Sequence, residues 1–195
     1  FFIVLEWNKG FFEQQLSLLS YYDALTGLPN KAFLEKKIKD FSKCNIMSIG
    51  VLYADIKNLN NINKTVGYEA GDFFLTSVSE VLKKVFGHHC VYRVEEDEFV
   101  VLSIDISYSE FMSKVKEISI IVKNADENSV STGHIWTDEV TDIYGLIHDT
   151  KKRMYLEKKI YSKGDFSRKM YNLALDKMKK EIQEGRRTAE LNPKS

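Results

Sequence analysis

The sequence predicts an α/β or α+β domain in which helices cover a single sheet. Apolar runs typical of strands interleave with segments whose apolar residues recur every three or four positions, as on one face of a helix. A short acidic stretch also separates two apolar runs between Cys90 and Ile104, which is the pattern of a β-hairpin. Because 44% of the 195 residues are hydrophobic, the chain can bury a core of ordinary size.

Each element has a local pattern behind it. Helical spacing of apolar residues predicts a helix over residues 1–20, and Asn30 is a good N-cap for a second helix, KAFLEKKIKDF. The run IMSIGVLYADI is apolar nearly throughout, as expected for a central strand. A strand is also predicted at VSTGHIW, and the remaining helices are GDFFLTSVSEVLKKVF, SEFMSKVKEISIIVKN (capped by Ser107 or Ser109), VTDIYGLIHDTKKRMYLEKKI and, after Gly164, FSRKMYNLALDKMKKEI.

Charge and cysteine content narrow the class of protein. The formal net charge is zero, so no overall field favours nucleic acid, and we expect no nucleic-acid partner. Cys44 and Cys90 are far apart and fit a reducing cytosol better than a disulfide scaffold. The opening FFIVLEW is too short to span a bilayer; it is either one face of a helix or the cytosolic end of a membrane helix. We therefore expect a cytoplasmic domain and leave an upstream membrane anchor open.

Carboxylates stand out at two places in the chain. Asp55 ends the first predicted strand, and the acids Glu95–Glu98 lie at the tip of the hairpin. If the two strands are neighbours, Asp55 and part of this cluster converge, and such oxygen ligands suit Mg²⁺, which keeps waters and takes substrate phosphates. From the residues alone, a solvated acidic turn remains the alternative, and Asp55 could equally cap the following turn.

Three blocks of sequence carry a resemblance to a known family. They are DALTGLPNKAF (Asp23–Phe33), ADIKNLNNINKTVGYEAGDFFL (Ala54–Leu75) and RVEEDEF (Arg93–Phe99), with a weaker fourth match at RMYLEK. Together they resemble the GGDEF domain family, the diguanylate cyclases and their relatives, over roughly residues 20–160. The resemblance implies a nucleotidyl-cyclase-like palm, with a central, mainly antiparallel five-stranded sheet flanked by helices.

The same resemblance implies a domain organisation and partners. Residues 1–22 would form a linker or signalling helix that couples an upstream sensor domain to the GGDEF domain at residues 23–164. Residues 165–195 would form a C-terminal helix or linker, whose LDKMKKEIQEG is similar to the helix that opens an EAL phosphodiesterase domain. Because the family joins two GTP molecules across two protomers, a homodimer is also implied.

Four residues would form the metal and catalytic part of such a site. Asp55, the backbone carbonyl of Ile56 and Asp97 match the magnesium ligands of the family. Asp97 and Glu98 fall at its catalytic carboxylates, and Glu98 is the acid that would assist the attacking 3′-hydroxyl. Mg²⁺ would orient the triphosphate and polarise the attacked phosphorus.

Three further residues would bind the nucleotide. Asn63 and Asp72 match the pair that contacts the guanine edge, and Lys158 matches a phosphate-binding lysine. An amide and a carboxylate together offer guanine a donor and acceptors, which discriminates it from adenine. The alternatives are that Asn63 and Asp72 cap a helix and a turn, and that Lys158 belongs to a solvated helix face.

One departure from the family leaves the function open. Glu95 and Glu96 replace the two glycines of the signature, which serve where a backbone approaches a ligand closely or takes a positive φ. A carboxylate 4 Å from a phosphate charge costs about 4 kcal/mol at an effective dielectric constant of 20. The sequence is therefore compatible with a catalytically degenerate, GTP-binding regulatory module, with an active diguanylate cyclase, or with a scaffold that binds no nucleotide.

Overall fold

The computed structural model describes residues 20–41, 43–57, 59–126 and 130–161, without the side chains of 123–126 and 158–161. The helices predicted over residues 1–20 and after Gly164 lie outside this range. The chain divides into two compact units, Phe1–Met154 and Tyr155–Ser195. The first contains the whole sheet, and of the second only residues 155–161 are described. The predicted domain boundaries at 22 and 164 stay predictions.

A four-stranded antiparallel sheet forms the centre of the first unit. Its strands are β1 (Ile49–Ile56), β2 (Val91–Arg93), β3 (Glu98–Ile104) and β4 (Val130–Thr137), in the order β2-β3-β1-β4. The predicted class and the flanking helices are confirmed, but the count of five strands was wrong for the described residues. The four observed strands correspond to the four apolar runs of the sequence that predicted strands. The fifth strand was implied by the resemblance alone.

Five α-helices that lie within the described residues accompany the sheet and cover both of its faces. They are α1 (Lys31–Phe41), α2 (Leu59–Thr65), α3 (Tyr68–Phe86), α4 (Tyr108–Asp126) and α5 (Ile143–Tyr161). Because side chains alternate along a strand, β1 contributes to two cores. Leu52 packs in one core with α3 and α4, and Tyr53 packs in the other with α1 and with Met154 of α5.

Two of the helix starts follow the predicted capping. Asn30 Oδ1 accepts a hydrogen bond of 3.1 Å from the Phe33 amide, as an N-cap does. Ser107, not Ser109, caps α4, because its Oγ accepts a hydrogen bond of 3.2 Å from Glu110 N. Helix α3 begins at Tyr68, earlier than predicted, so Gly71 lies inside the helix.

A glycine brings the last helix against the sheet. A Cβ on Gly133 of β4 would lie 2.5 Å from the Met154 nitrogen and 2.7 Å from the Thr150 carbonyl oxygen, both in the backbone of α5. Only glycine allows this approach, because the clashing atoms cannot rotate away. The contact fixes Lys151, between Thr150 and Met154, close to the sheet face that carries Tyr53.

Candidate functional site

The structure brings the predicted carboxylates of β1 and β3 together. Asp55 pairs directly with Glu98 across the two strands, and the Ile56 amide donates a hydrogen bond of 2.9 Å to the carbonyl of Asp97. Opposed residues of antiparallel strands project from the same sheet face. Asp55 and Glu98 are each only 5% exposed. The ends of β1 and β3 are therefore adjacent, as expected for neighbouring strands.

Glu98 is held by two donors that the sequence did not single out. The Tyr53 hydroxyl and the Lys151 ammonium each donate to Glu98 Oε2 at 2.6 Å. The Lys151 nitrogen also lies 5.2 Å from the centre of the Tyr53 ring, within cation–π range. The partner 53 residues away could not be identified from sequence, because Lys151 stands in a run of basic residues with no distinguishing pattern.

The oxygen donors beside Glu98 suit a hard cation with an open coordination sphere. Asp55 and Asp97 supply carboxylates, and Ile56 supplies a backbone carbonyl at the same strand end. Within the described residues, no three His, Cys, Asp or Glu side chains gather closely enough to hold a metal ion. Asp55, Asp97 and Glu98 thus form no three-carboxylate cage. This donor set fits Mg²⁺, which takes one or two carboxylates and completes its shell with water and phosphate oxygens.

The two glutamates of the altered signature sit in an ordinary turn. Asp105 is the one non-glycine residue with a positive φ among those described, so Glu95 and Glu96 impose no left-handed strain. Glu95 accepts a hydrogen bond of 2.9 Å from Lys31 Nζ at the start of α1. This bond and the attraction to Glu95 raise the pKa of Lys31. Half of the added charge thus has a partner, whereas Glu96 is exposed.

Arg93 anchors the turn to the segment before α1. Its Nη2 donates to the Glu96 carbonyl at 2.6 Å, and its Nη1 donates to Asp23 Oδ1 at 2.9 Å. The same oxygen accepts hydrogen bonds from the amide and hydroxyl of Thr26. Burial pushes the pKa of Asp23 upward, but the hydrogen bonds from Thr26 and Arg93 outweigh it and leave the pKa lowered. The first and third sequence blocks are therefore in direct contact.

The predicted guanine-binding residues lie on neighbouring helices. Asn63 of α2 packs against Gly71 of α3 so closely that a Cβ on Gly71 would overlap Asn63 Oδ1. That buried oxygen has no hydrogen-bond partner in the protein. Asp72 is exposed and follows Gly71 inside α3. Since both polar residues lie within helices, neither is the helix or turn cap considered from sequence.

Lys158 and His134 belong to two further elements, α5 and β4. Lys158 is on α5 in the second unit, and its side chain falls outside the described residues. His134 on β4 is half-buried; burial and, second, the positive charge of Arg153 lower the pKa of its imidazole.

Across the described ranges, none of the helices combines the length and apolar character that crossing a bilayer requires.

Comparison with known proteins identifies the family. Residues 20–163 match the family described as diguanylate cyclase, GGDEF domain. This chain belongs to the GGDEF domain family. The DgcP diguanylate cyclase of Escherichia coli strain K12 is 31% identical over 160 residues, which are 75% of this chain and 47% of DgcP. The diguanylate cyclase TpbB of Pseudomonas aeruginosa strain UCBPP-PA14 is 25% identical over 170 residues, 78% of this chain and 39% of TpbB. The chain thus spans less than half the length of these curated relatives.

Solved GGDEF structures share the fold. The coiled coil and GGDEF domain of Caulobacter crescentus DgcB, crystallised in complex with c-di-GMP, superposes with a TM-score of 0.69 at 18% identity, over 80% of this chain and 90% of that one. The isolated GGDEF domain of Pseudomonas aeruginosa TpbB superposes with a TM-score of 0.58 at 25% identity, over 71% and 88% of the two chains. The antiparallel sheet with flanking helices is therefore the GGDEF architecture.

Proposed function

We propose that this GGDEF domain is a regulatory, GTP-binding module of cyclic di-GMP signalling with degenerate cyclase chemistry. The observation that carries the proposal is the state of Glu98. This carboxylate stands at the predicted catalytic position, yet it is nearly buried and bonded to Tyr53 and Lys151. A group held by two short hydrogen bonds is poorly placed to accept a proton from a substrate hydroxyl.

Nucleotide binding is supported by the pair of helices α2 and α3. Asn63 has a buried acceptor that lacks a partner, and leaving such a group unsatisfied is costly. A guanine edge carries N–H donors that would satisfy this oxygen after rotation of the amide, while the exposed Asp72 carboxylate would accept others. Lys158 remains the predicted phosphate ligand.

The strand ends would provide the site for the magnesium ion that accompanies a triphosphate. Asp55, Asp97 and the Ile56 carbonyl would hold it, and the bound ion would neutralise phosphate charge. The protein's own residues would position the nucleotide: Asn63 and Asp72 at the base, and the strand ends at the phosphates. In the regulatory function, this binding changes the state of an attached domain, such as an upstream sensor or a C-terminal EAL domain, without turnover.

Titration calorimetry with GTP in the presence of Mg²⁺ tests the proposal. We expect binding of GTP, weaker binding of ATP, and a loss of about tenfold or more in GTP affinity for Asp72→Ala, since a hydrogen bond to a charged group contributes about 1.5–3 kcal/mol. Glu80→Ala is the matched control, because Glu80 is exposed on the same helix more than two turns away. Absence of GTP binding at millimolar concentration would contradict the proposal and leave the scaffold function.

An active diguanylate cyclase is the second candidate. It is favoured by the hydrogen bond from the Ile56 amide to the Asp97 carbonyl, which joins the two strand ends, and by the unstrained backbone at Glu95 and Glu96. Incubation of the dimeric protein with GTP and Mg²⁺, followed by chromatography of the products, separates the two functions. Formation of cyclic di-GMP that Asp97→Ala abolishes would establish the cyclase and refute degeneracy.

A further inference from the structure

An ion pair joins Glu98 and Lys151 at the acidic strand ends. The Lys151 side chain is 31% exposed and that of Glu98 only 6%, so most of this contact is removed from water. Tyr53 donates to the same carboxylate oxygen from within the sheet. Breaking such a pair by removing one partner leaves a buried charge uncompensated. The pair is therefore a fixed part of the site in the free protein.

The pair has a direct consequence for the ligands of a metal ion. Asp55 and Glu98 are opposed across the strands, where Cβ atoms are about 4.5–5.5 Å apart. Such a spacing would let both carboxylates bind one cation. In the described part of the chain, however, no three acidic side chains gather as a metal site, and Glu98 Oε2 is directed to Lys151 and Tyr53.

We propose that Lys151 is a tethered counter-cation that withholds Glu98 from divalent metal. The ammonium neutralises the acidic strand ends, as a metal ion would, and repels a second cation. Free Mg²⁺ is then bound weakly, and the site takes metal together with the triphosphate that supplies compensating negative charge. This inference rests on the function proposed for the site and adds that the site binds metal together with the triphosphate.

The next lysine along the helix provides a matched control. Lys152 carries the same charge, but its side chain is 54% exposed and pairs with Asp149, one turn back on α5. Replacing Lys152 changes the net charge of the protein by the same amount without touching Glu98. A difference between the two lysine variants therefore reports the contact with Glu98 and not the overall charge.

The test measures Mn²⁺ binding without nucleotide, by electron paramagnetic resonance and by calorimetry. We expect Lys151→Met to bind Mn²⁺ about tenfold or more tighter than the wild type, because the variant removes a positive charge beside the metal ligands and releases a carboxylate. Lys152→Met should match the wild type. Adding Glu98→Gln to Lys151→Met should abolish the gain, because the released carboxylate is the new ligand. Lys151→Gln, which keeps a hydrogen-bond donor, repeats the test if the methionine variant fails to fold.

The outcomes separate this inference from the proposed function. Equal Mn²⁺ affinity of the wild type and both Lys151 variants, or a gain that survives Glu98→Gln, overturns the role of Lys151. GTP binding is measured in a separate titration of the wild type. Failure of GTP to bind would refute the proposed function. The role of Lys151 would still be decided by the Mn²⁺ comparison, which contains no nucleotide.

Discussion

The close packing of α5 on β4 predicts a large effect of a single methyl group. In Gly133→Ala, the new Cβ would lie 2.5 Å from Met154 N, whereas ordinary contacts begin at 3.4 Å. Helix and strand must separate by about 0.9 Å to restore a normal distance. Side-chain rotation cannot provide this movement, because the atoms at 2.5 and 2.7 Å belong to the helix backbone.

The expected cost follows from overpacking. Extra methyl groups in a well-packed core destabilise by about 1–3 kcal/mol, and the lower flexibility of alanine in the unfolded chain returns up to about 1 kcal/mol. We expect a loss of about 2 kcal/mol in the free energy of unfolding. For a protein of this size, that lowers the Tm by about 4–8 °C. The Lys151–Glu98 contact should weaken as well, since Lys151 moves with the helix.

Urea unfolding followed by circular dichroism measures this loss. Gly145→Ala serves as the control, because the atoms nearest to its Cβ would belong to the side chain of Asp142, whose carboxylate can turn aside. We expect the control to stay within about 1 kcal/mol of the wild type. A Gly133→Ala protein as stable as the control would refute the reasoning that α5 rests on the bare backbone at this position.

Three further predictions concern stability. Asn30→Ala removes the cap bond to Phe33 N and should cost about 1 kcal/mol in urea unfolding. The lowered pKa of Asp23 means that its contribution is present above the unfolded value of 3.8 and is lost as pH falls through the folded-state pKa, so Arg93→Met should flatten the acid unfolding curve below about pH 4. The pKa of His134 in the folded protein lies below the ordinary value of 6.5. The contribution of His134 to stability is therefore present above pH 6.5 and is lost as the pH falls from 6.5 toward the folded-state pKa. Between pH 7.5 and 5, His134→Gln should lose less stability than the wild type.

The elements of the fold were largely predictable because their causes are local. Helix α1 occupies the predicted residues and starts at the predicted Asn30 cap. The hairpin follows from two apolar runs around an acidic turn, and β1 is buried throughout, as its apolar composition indicates. For the described residues, the prediction of a fifth strand was wrong because no local sequence pattern supported it.

The site was predictable only in part, because its geometry depends on long-range contacts. Strand pairing placed Asp55 beside Glu98, as neighbouring strands would. The lysines that pair with the acids come from two different helices, Lys31 with Glu95 and Lys151 with Glu98. Several lysines on each helix are equivalent in sequence, and tertiary packing alone decides which one reaches a carboxylate. Sequence patterns alone therefore do not assign these ion pairs.

The bonds around Arg93 imply that the signature turn and the start of the domain open as one cooperative unit. The Arg93 amide donates to the Pro29 carbonyl, and its guanidinium joins Asp23 to the Glu96 carbonyl. Asn30 extends the connection by donating from its amide to the Tyr21 carbonyl. In hydrogen exchange, the amides of Arg93 and Asn30 should therefore share one opening free energy. A movement of the chain just before Asp23 would be transmitted to the acidic turn through these hydrogen bonds and not through the hydrophobic core.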